Sequence, residues 1–287
     1  MLLVLDQLKD QHNFTQTEKR IADYILQHPS KISTIYIEDL AKLTYTSHSA
    51  IIRLCKKIGF TGFREFKIAL STLVHSQLYT AEQVNANFPF DEADSPMTIA
   101  KKMADLTTET VKKTFAQLND ELLSQIVTTL AQAQRVFLFA RGDSQIRARS
   151  FQNKLIKINK FYILAEEYSD GYWNAASLTK KDCALFISYS GIVPQYDRIM
   201  EHFHQEKIPT ILLTGNKQST LLPFAEKALI TIQEEYDFAK IGTFSSQVAF
   251  EYILDTLFSI LYAQEYRQNL LSLKEKQHLL QNGLLSD

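Results

Sequence analysis

Cys183-Ala184-Leu185-Phe186-Ile187 is an apolar run with no polar alternation, and Ser188-Tyr189-Ser190-Gly191 follows it at once. A strand that is apolar at every residue has to be covered on both faces, the condition of a central strand in a parallel sheet layered with helices. The abrupt change to serines and a glycine gathers hydroxyls and backbone N–H groups at the carboxyl end of that strand, where open α/β sheets bind ligands. Small donors at such an end suit an anion. Gly191 lets the backbone approach closely, and a helix starting near Pro194 directs its positive end at the same point. An ordinary Ser/Gly-rich turn accounts for the same residues.

The surrounding chain repeats the alternation. Residues 136–140, 161–164, 208–213 and 229–232 read as further strands. Segments through Phe151, Leu155 and Ile156, through 172–178, 194–205 and 244–261 read as helices, and two more helices precede them at about 97–118 and 120–134. That order predicts a three-layer α/β domain on a parallel sheet. Three of the eight glycines, Gly142, Gly191 and Gly215, come just after apolar strands, all at one edge of the predicted sheet. The loop Ala140-Arg141-Gly142-Asp143-Ser144 is therefore a second candidate ligand contact, through Gly142 and Ser144, and Thr214 before Gly215 a third. A Rossmann dinucleotide site is excluded by the glycine spacing after Ala140 and by the lack of a placed ribose-binding acid.

At 287 residues the chain is long enough for about two domains, and the first 77 residues read differently from the rest. Thr15 and Glu18 form a capping-box pattern that opens a helix with Ile21, Tyr24 and Ile25 on one face, closed by His28-Pro29. A second short helix carries Ile37, Leu40, Ala41 and Leu43. Tyr45-Thr46 makes a turn, and Ser47 caps a third helix whose buried stripe is Ile51, Leu54, Cys55 and Ile58, stopped at Gly59. A fourth places Phe63, Phe66, Leu70 and Leu73 on its core face. The outer face of the third helix presents His48, Ser49, Ile52, Arg53 and Lys56, with Lys57 at its edge.

Charge supports a partner for that face. The chain carries a net charge of −1, but residues 1–77 hold ten Lys/Arg and seven Asp/Glu, net +3. Between Ser47 and Lys67, Arg53, Lys56, Lys57, Arg64 and Lys67 face Glu65 alone. Helix, tight turn and capped basic helix are the plan of a helix-turn-helix, whose second helix enters the major groove of duplex DNA. A small bundle with a solvated basic face is the plainer reading. Residues 78–96 lose periodicity, collect Asn, Asp, Pro and Ser, and form the expected boundary. The expected organisation is thus an all-α helix-turn-helix domain over 1–77, a linker over 78–96 and an α/β domain over 97–287.

These residues carry a resemblance in two parts. Thr15–Glu18 with Ile21–Leu26, Leu40-Ala41, Ser47 to Phe60 and Gly62 to Lys67 resemble the helix-turn-helix domain of the RpiR family of bacterial transcription regulators. The most specific piece is Arg53-Leu-Cys-Lys-Lys-Ile-Gly-Phe60. Ala50 and the pair His48-Ser49 depart from the family pattern at the start of the reading helix. The loops of the second domain resemble the SIS, or sugar isomerase, domain over roughly 122–266. That resemblance implies that Ser188 and Ser190, with the N–H groups of Tyr189 and Gly191, hold a phosphate, and that Ser144 helps hold a sugar. Ala140 stands where a first glycine is usual, and Val193 where a threonine is.

The expected function is a sequence-specific DNA-binding regulator of sugar metabolism that senses a phosphorylated sugar. It would act as a homodimer or homotetramer on a near-palindromic operator, with the helix at 244–261 and the tail at 270–280 as pairing surfaces. A sugar-phosphate isomerase or lyase of the same fold is the alternative, with Glu166, Glu167, His202, His204 and Glu251 as the available bases. No cofactor or metal is expected, because no His/Cys cluster has ligand spacing. The two cysteines, Cys55 and Cys183, lie in apolar patterns and read as reduced, buried thiols. No apolar run approaches a membrane span and no signal-peptide layout opens the chain, so the expected location is the cytoplasm.

Overall fold

The computed structural model describes residues 8–9, 11–32, 35–70, 83–167 and 170–283. The chain separates into two compact units, Met1–Ala81 and Glu82–Asp287.

In the first unit, α1 (Gln16–Gln27) starts at a complete capping box: Thr15 Oγ1 accepts from Glu18 N, and Glu18 Oε2 accepts from Thr15 N at 2.8 Å. A single turn, α2 (Pro29–Ile32), leads to α3 (Ile37–Leu43), and Tyr45 takes a left-handed φ of 51° to reverse the chain into α4 (His48–Lys57). Ser47 caps α4 through its Oγ, which accepts from Ala50 N at 3.2 Å. Ile51, Leu54, Cys55 and Ile58 are all buried, in one core with Ile21, Ile25, Leu40, Phe66 and Leu70. Phe66 and Leu70 lie on a helix, α5, that runs over residues 63–70; Leu73 lies outside the described residues. The face expected for α3 needs correction. Leu43 is exposed, and Thr44 takes the interior place beyond it, its hydroxyl donating to Leu40 O at 2.8 Å.

The second unit opens with α6 (Pro96–Phe115) and α7 (Asp120–Gln132). Then follow β1 (Val136–Ala140), α8 (Asp143–Ile156), β2 (Ile163–Leu164), α9 (Gly171–Ala176), β3 (Cys183–Ile187), α10 (Pro194–Glu206), β4 (Thr210–Thr214) and β5 (Lys227–Ile230). The long α11 (Ser245–Gln264) and α12 (Tyr266–Asn282) complete it. The five strands are all parallel in the order β2-β1-β3-β4-β5. Every residue of β1, β3 and β4 is buried. Leu138, Leu185 and Leu213 face the core built with α7, α8 and α11. Phe139, Phe186 and Leu212 face the other, built with α10, where the Phe139 and Phe186 rings stack at 4.5 Å. Cys55 and Cys183 are free and buried, and burial pushes both thiols up to about 12.

Of the segment 78–96, residues 78–82 lie outside the described residues. Asn87 within it is buried and hydrogen-bonds to the stretch after β5. Among the described residues, no helix is long and apolar enough to cross a membrane.

One ion pair, between a buried carboxylate and a half-exposed arginine, locks the entrance to β3. Asp182 accepts from Arg135 Nε at 2.9 Å and Nη2 at 2.8 Å, and from Thr179 N at 2.8 Å. The Arg135 bonds, ahead of burial, which opposes them, take its carboxyl from 3.8 down to about 2. The stabilisation, about 2 kcal/mol, is full above the unfolded-state value and is lost as pH falls from about 4 toward 2. Asp182→Asn is expected to lose about that much at pH 7 in urea unfolding, with the gap to the unaltered chain closing as pH drops through this window.

Candidate functional site

The strand order makes the site. From β1 the chain leaves to one side to form β2, then returns to place β3 on the other side, so the loops after β1 and β3 diverge and leave a crevice at their carboxyl ends. A hollow of about 580 Å³ occupies that crevice, lined from β1 by Arg141, Asp143 and Ser144, and from β3 by Ser188, Tyr189, Ser190, Ile192 and Val193. Tyr196 on α10, Ser246 and Gln247 on α11, and Asp237, Phe238, Lys240 and Thr243 from the loop between β5 and α11 complete the wall.

Four of the seven expected ligand contacts, Ser144, Ser188, Tyr189 and Ser190, thus line one hollow. The other three are placed behind it. Gly142 precedes α8 with φ 54°, a conformation open to glycine, and shapes the turn that presents Ser144. Gly191 has φ 61° and is pressed against Ser219 and Thr214, its carbonyl accepting from Ser219 Oγ at 2.7 Å. Thr214 is fully buried and its hydroxyl donates to Tyr189 O at 3.3 Å. It supports the loop from below because β4 lies one strand away from the crevice. Within the loop, Gly191 N donates to Ser188 Oγ and Ile192 N to Ser190 Oγ, each at 3.3 Å.

Two cations reach the rim, each fixed by a buried carboxylate. Arg141 Nε donates to Glu166 Oε1 at 2.7 Å, and Tyr196 donates its phenol proton to Glu166 Oε2. Burial first, then the bond to Glu166, pushes the Tyr196 phenol far up, so it stays a donor. Lys240 Nζ stands 3.4 Å from Glu235 Oε2. Burial also raises the Tyr189 phenol, whose oxygen accepts from Glu234 N at 2.9 Å and Glu235 N at 3.1 Å. Arg141 was legible as part of a loop, but not as a pocket side chain. The 231–244 loop gave no periodic signal; the sequence places a strand over 229–232 and a helix from 244 with nothing singled out between them, whereas the strand ends at Ile230.

Of the candidate bases, Glu166 sits behind the rim on Arg141 and Tyr196, Glu167 accepts from Arg149 Nη2 at 2.9 Å, and neither it nor the other three lines the hollow. Glu251 joins α11 to α8, accepting from Arg147 at 3.0 Å, Lys154 at 2.7 Å and Ser150 at 2.9 Å. Burial opposes ionisation there, but the bonds from Lys154 and Ser150 outweigh it and hold the carboxyl below its ordinary value. Glu251 does not line the hollow, and His202 and His204 are exposed on α10. The carboxylates that do line it are Asp143 and Asp237, the former accepting from Thr243 Oγ1 at 2.6 Å.

In the first unit the residues singled out on α4 divide. Ser47, His48, Ser49, Ile52, Arg53 and Lys56 are exposed on the side opposite the buried stripe. Lys57 is exposed as well, but its ammonium is tied: it donates to Glu18 Oε2 at 2.9 Å and to Asn13 O, and lies over the Phe14 ring. Burial alone would raise the Glu18 carboxyl, but the bonds from Lys57 and Thr15 outweigh it and hold it below its usual value.

Residues 2–77 match the helix-turn-helix domain of the rpiR family, and residues 129–278 match the SIS domain. An uncharacterized HTH-type transcriptional regulator of Haemophilus influenzae is 29% identical over 88% of this chain and 87% of its own. Another, from Caldanaerobacter subterraneus, is 28% identical over 88% of each. Among solved structures, the Vibrio vulnificus NanR protein complexed with ManNAc-6P has the same fold, with a TM-score of 0.58 at 23% identity, over 96% of this chain and 97% of that one. With an rpiR-type helix-turn-helix at one end and a SIS domain over more than half its length, the chain belongs to the RpiR family of transcriptional regulators.

Proposed function

We propose that this regulator senses a phosphorylated sugar in the crevice between β1 and β3, and that occupancy changes how its helix-turn-helix domains grip a near-palindromic operator. The observation that carries the reading is the meeting of Ser144, Ser188 and Ser190 from two strand ends in one hollow. The loop N–H groups of Gly191 and Ile192 rest on the loop's own hydroxyls at 3.3 Å, near the outer limit of a hydrogen bond. A phosphate oxygen is a better, charge-assisted acceptor for the same donors. Arg141 and Lys240 on the rim suit a dianion further. The ManNAc-6P complex of NanR supports the ligand class, on a shared fold. Operator half-sites imply paired chains, and α12 exposes Leu271, Leu273, Leu279 and Leu280, apolar surface that pairing would cover.

Calorimetric titration with ManNAc-6P, glucose 6-phosphate, fructose 6-phosphate and glucosamine 6-phosphate tests the ligand class. Ser190→Ala is expected to weaken the binding member about 10-fold, the loss of one hydrogen bond to a charged group. Operator affinity is expected to shift by about 5- to 150-fold on ligand addition. No binding by any member, or binding indifferent to Ser190→Ala, removes the phosphate assignment. Sustained turnover of fructose 6-phosphate would replace the sensor reading with the isomerase one, since Asp143 and Asp237 are carboxylates within the hollow.

A further inference from the structure

Residues 231–244 connect β5 to α11 without regular secondary structure. Connections of this length in a compact domain usually have a function of their own. Its first two residues, Thr231 and Ile232, are buried, and beyond them it is fastened at a second deep point. Glu235 is buried and accepts from Ser246 N at 2.9 Å, Ser246 Oγ at 2.7 Å and Ser245 Oγ at 3.1 Å. Residues 236–239 beyond it are exposed.

Three separate parts of the domain hold the same short piece of this segment, one of them α6, whose Lys113 ammonium pairs with Glu234 Oε1 at 2.5 Å. From the pocket side, the Tyr189 hydroxyl takes the N–H groups of Glu234 and Glu235. From the other side, Asn87 donates Nδ2 to Glu234 O at 2.9 Å, accepts from Tyr236 N on Oδ1 at 2.6 Å, and accepts from Ile241 N on its own carbonyl at 2.9 Å. Asn87 is buried and uses both ends of its amide on this segment. It also lies a few residues beyond Ala81, where the DNA-binding unit ends.

We propose that residues 231–244 are a strap that reads occupancy of the crevice and passes it to the connector through Asn87. The inference rests on the sugar-phosphate reading above. The strap supplies Lys240 and Thr243 to the pocket wall, so a bound anion has contacts that depend on where the strap lies, the condition for a ligand to shift an equilibrium. The two states are Asn87 held by Glu234 and Tyr236, and Asn87 released. Tyr189 is the second link, since its backbone belongs to the phosphate loop and its hydroxyl to the strap. A release of the Asn87 clamp alters the start of the chain that leads back to the reading heads.

Hydrogen exchange and DNA binding on the full chain test it. Tyr189→Phe removes the acceptor for Glu234 and Glu235. It is expected to speed exchange by about 10-fold there and also at the amides of Tyr236 and Ile241, which Tyr189 does not touch. Acceleration confined to Glu234 and Glu235 overturns the relay. Asn87→Ala is expected still to bind the sugar phosphate of the four-member panel that the unaltered chain binds. Its operator affinity should change less than about 2-fold on addition of that compound, against the 5- to 150-fold expected of the unaltered chain. A full-sized response in Asn87→Ala overturns the strap and leaves the sensor standing. No response of the unaltered chain to any member of the panel removes both.

Discussion

Replacing Gly191 with alanine is expected to destabilise the C-terminal unit by about 3 kcal/mol and to abolish the proposed response to sugar phosphate. Two costs combine. At φ 61° an L-residue side chain is strained by about 1–2 kcal/mol. The new methyl would also stand 2.6 Å from Ser219 Cβ and 2.8 Å from Thr214 Oγ1, and still closer to Ser219 Oγ. Ser219 and Thr214 are buried and hydrogen-bonded to the loop itself, so neither gives way, and overpacking of this kind costs about 1–3 kcal/mol. Relief comes by lifting the Ser188–Ser190 loop out of register with Ser144, which dismantles the proposed anion site. Gly142→Ala is the internal control. It has a φ of 54° and a ψ of −133° but open space around its missing Cβ, so only the backbone cost of about 1–3 kcal/mol is expected. Urea midpoints of the two variants separate these contributions; equal losses would show that close packing beneath the loop contributes nothing.

Removing Arg53 and Lys56 together is expected to weaken operator binding by about 3 kcal/mol, roughly 100-fold, and to flatten its salt dependence by about two units. Both side chains lie on the exposed face of α4, and neither is tightly held: Arg53 only approaches Glu18, at 3.9 Å. Fluorescence anisotropy with operator DNA across a salt series measures both quantities. Lys57→Ala should behave differently. Its ammonium neutralises the buried Glu18 that closes the capping box of α1, so its removal is expected to lower the stability of the N-terminal unit while leaving the salt slope near that of the unaltered chain. A slope that falls for Lys57→Ala and holds for the Arg53/Lys56 pair would move the phosphate contacts to the inner edge of the helix.

The contrast between Lys57 and Lys56 marks where reading a chain of letters stops. Helical period puts Lys56 on the polar side of α4 and Lys57 at its edge, because Ile51, Leu54 and Cys55 claim the other side. Only the packing of α1 against α4 brings Glu18 and Asn13 O within reach of one of them. The same limit separates Thr214 from Ser188 and Ser190. Each follows an apolar strand at the same sheet edge, so local pattern treats them alike. The order β2-β1-β3-β4-β5 then opens the crevice beside β3 and leaves the end of β4 under the loop. Leu43 and Thr44 exchange places for a related reason: in a helix as short as α3, the following turn decides which residue faces inward.

By itself the sequence determined most of the elements, their order and the division into a helical and an α/β part, because hydrophobic period, caps and glycine positions act over a few neighbouring residues. The tertiary structure alone decided which side chains share the hollow, how Arg141 and Lys240 are steadied by Glu166 and Glu235, and that Asn87 meets a strap about 150 residues away. Such meetings depend on strand order and on the path of an aperiodic loop, which are settled by how whole layers pack and leave no trace in local pattern.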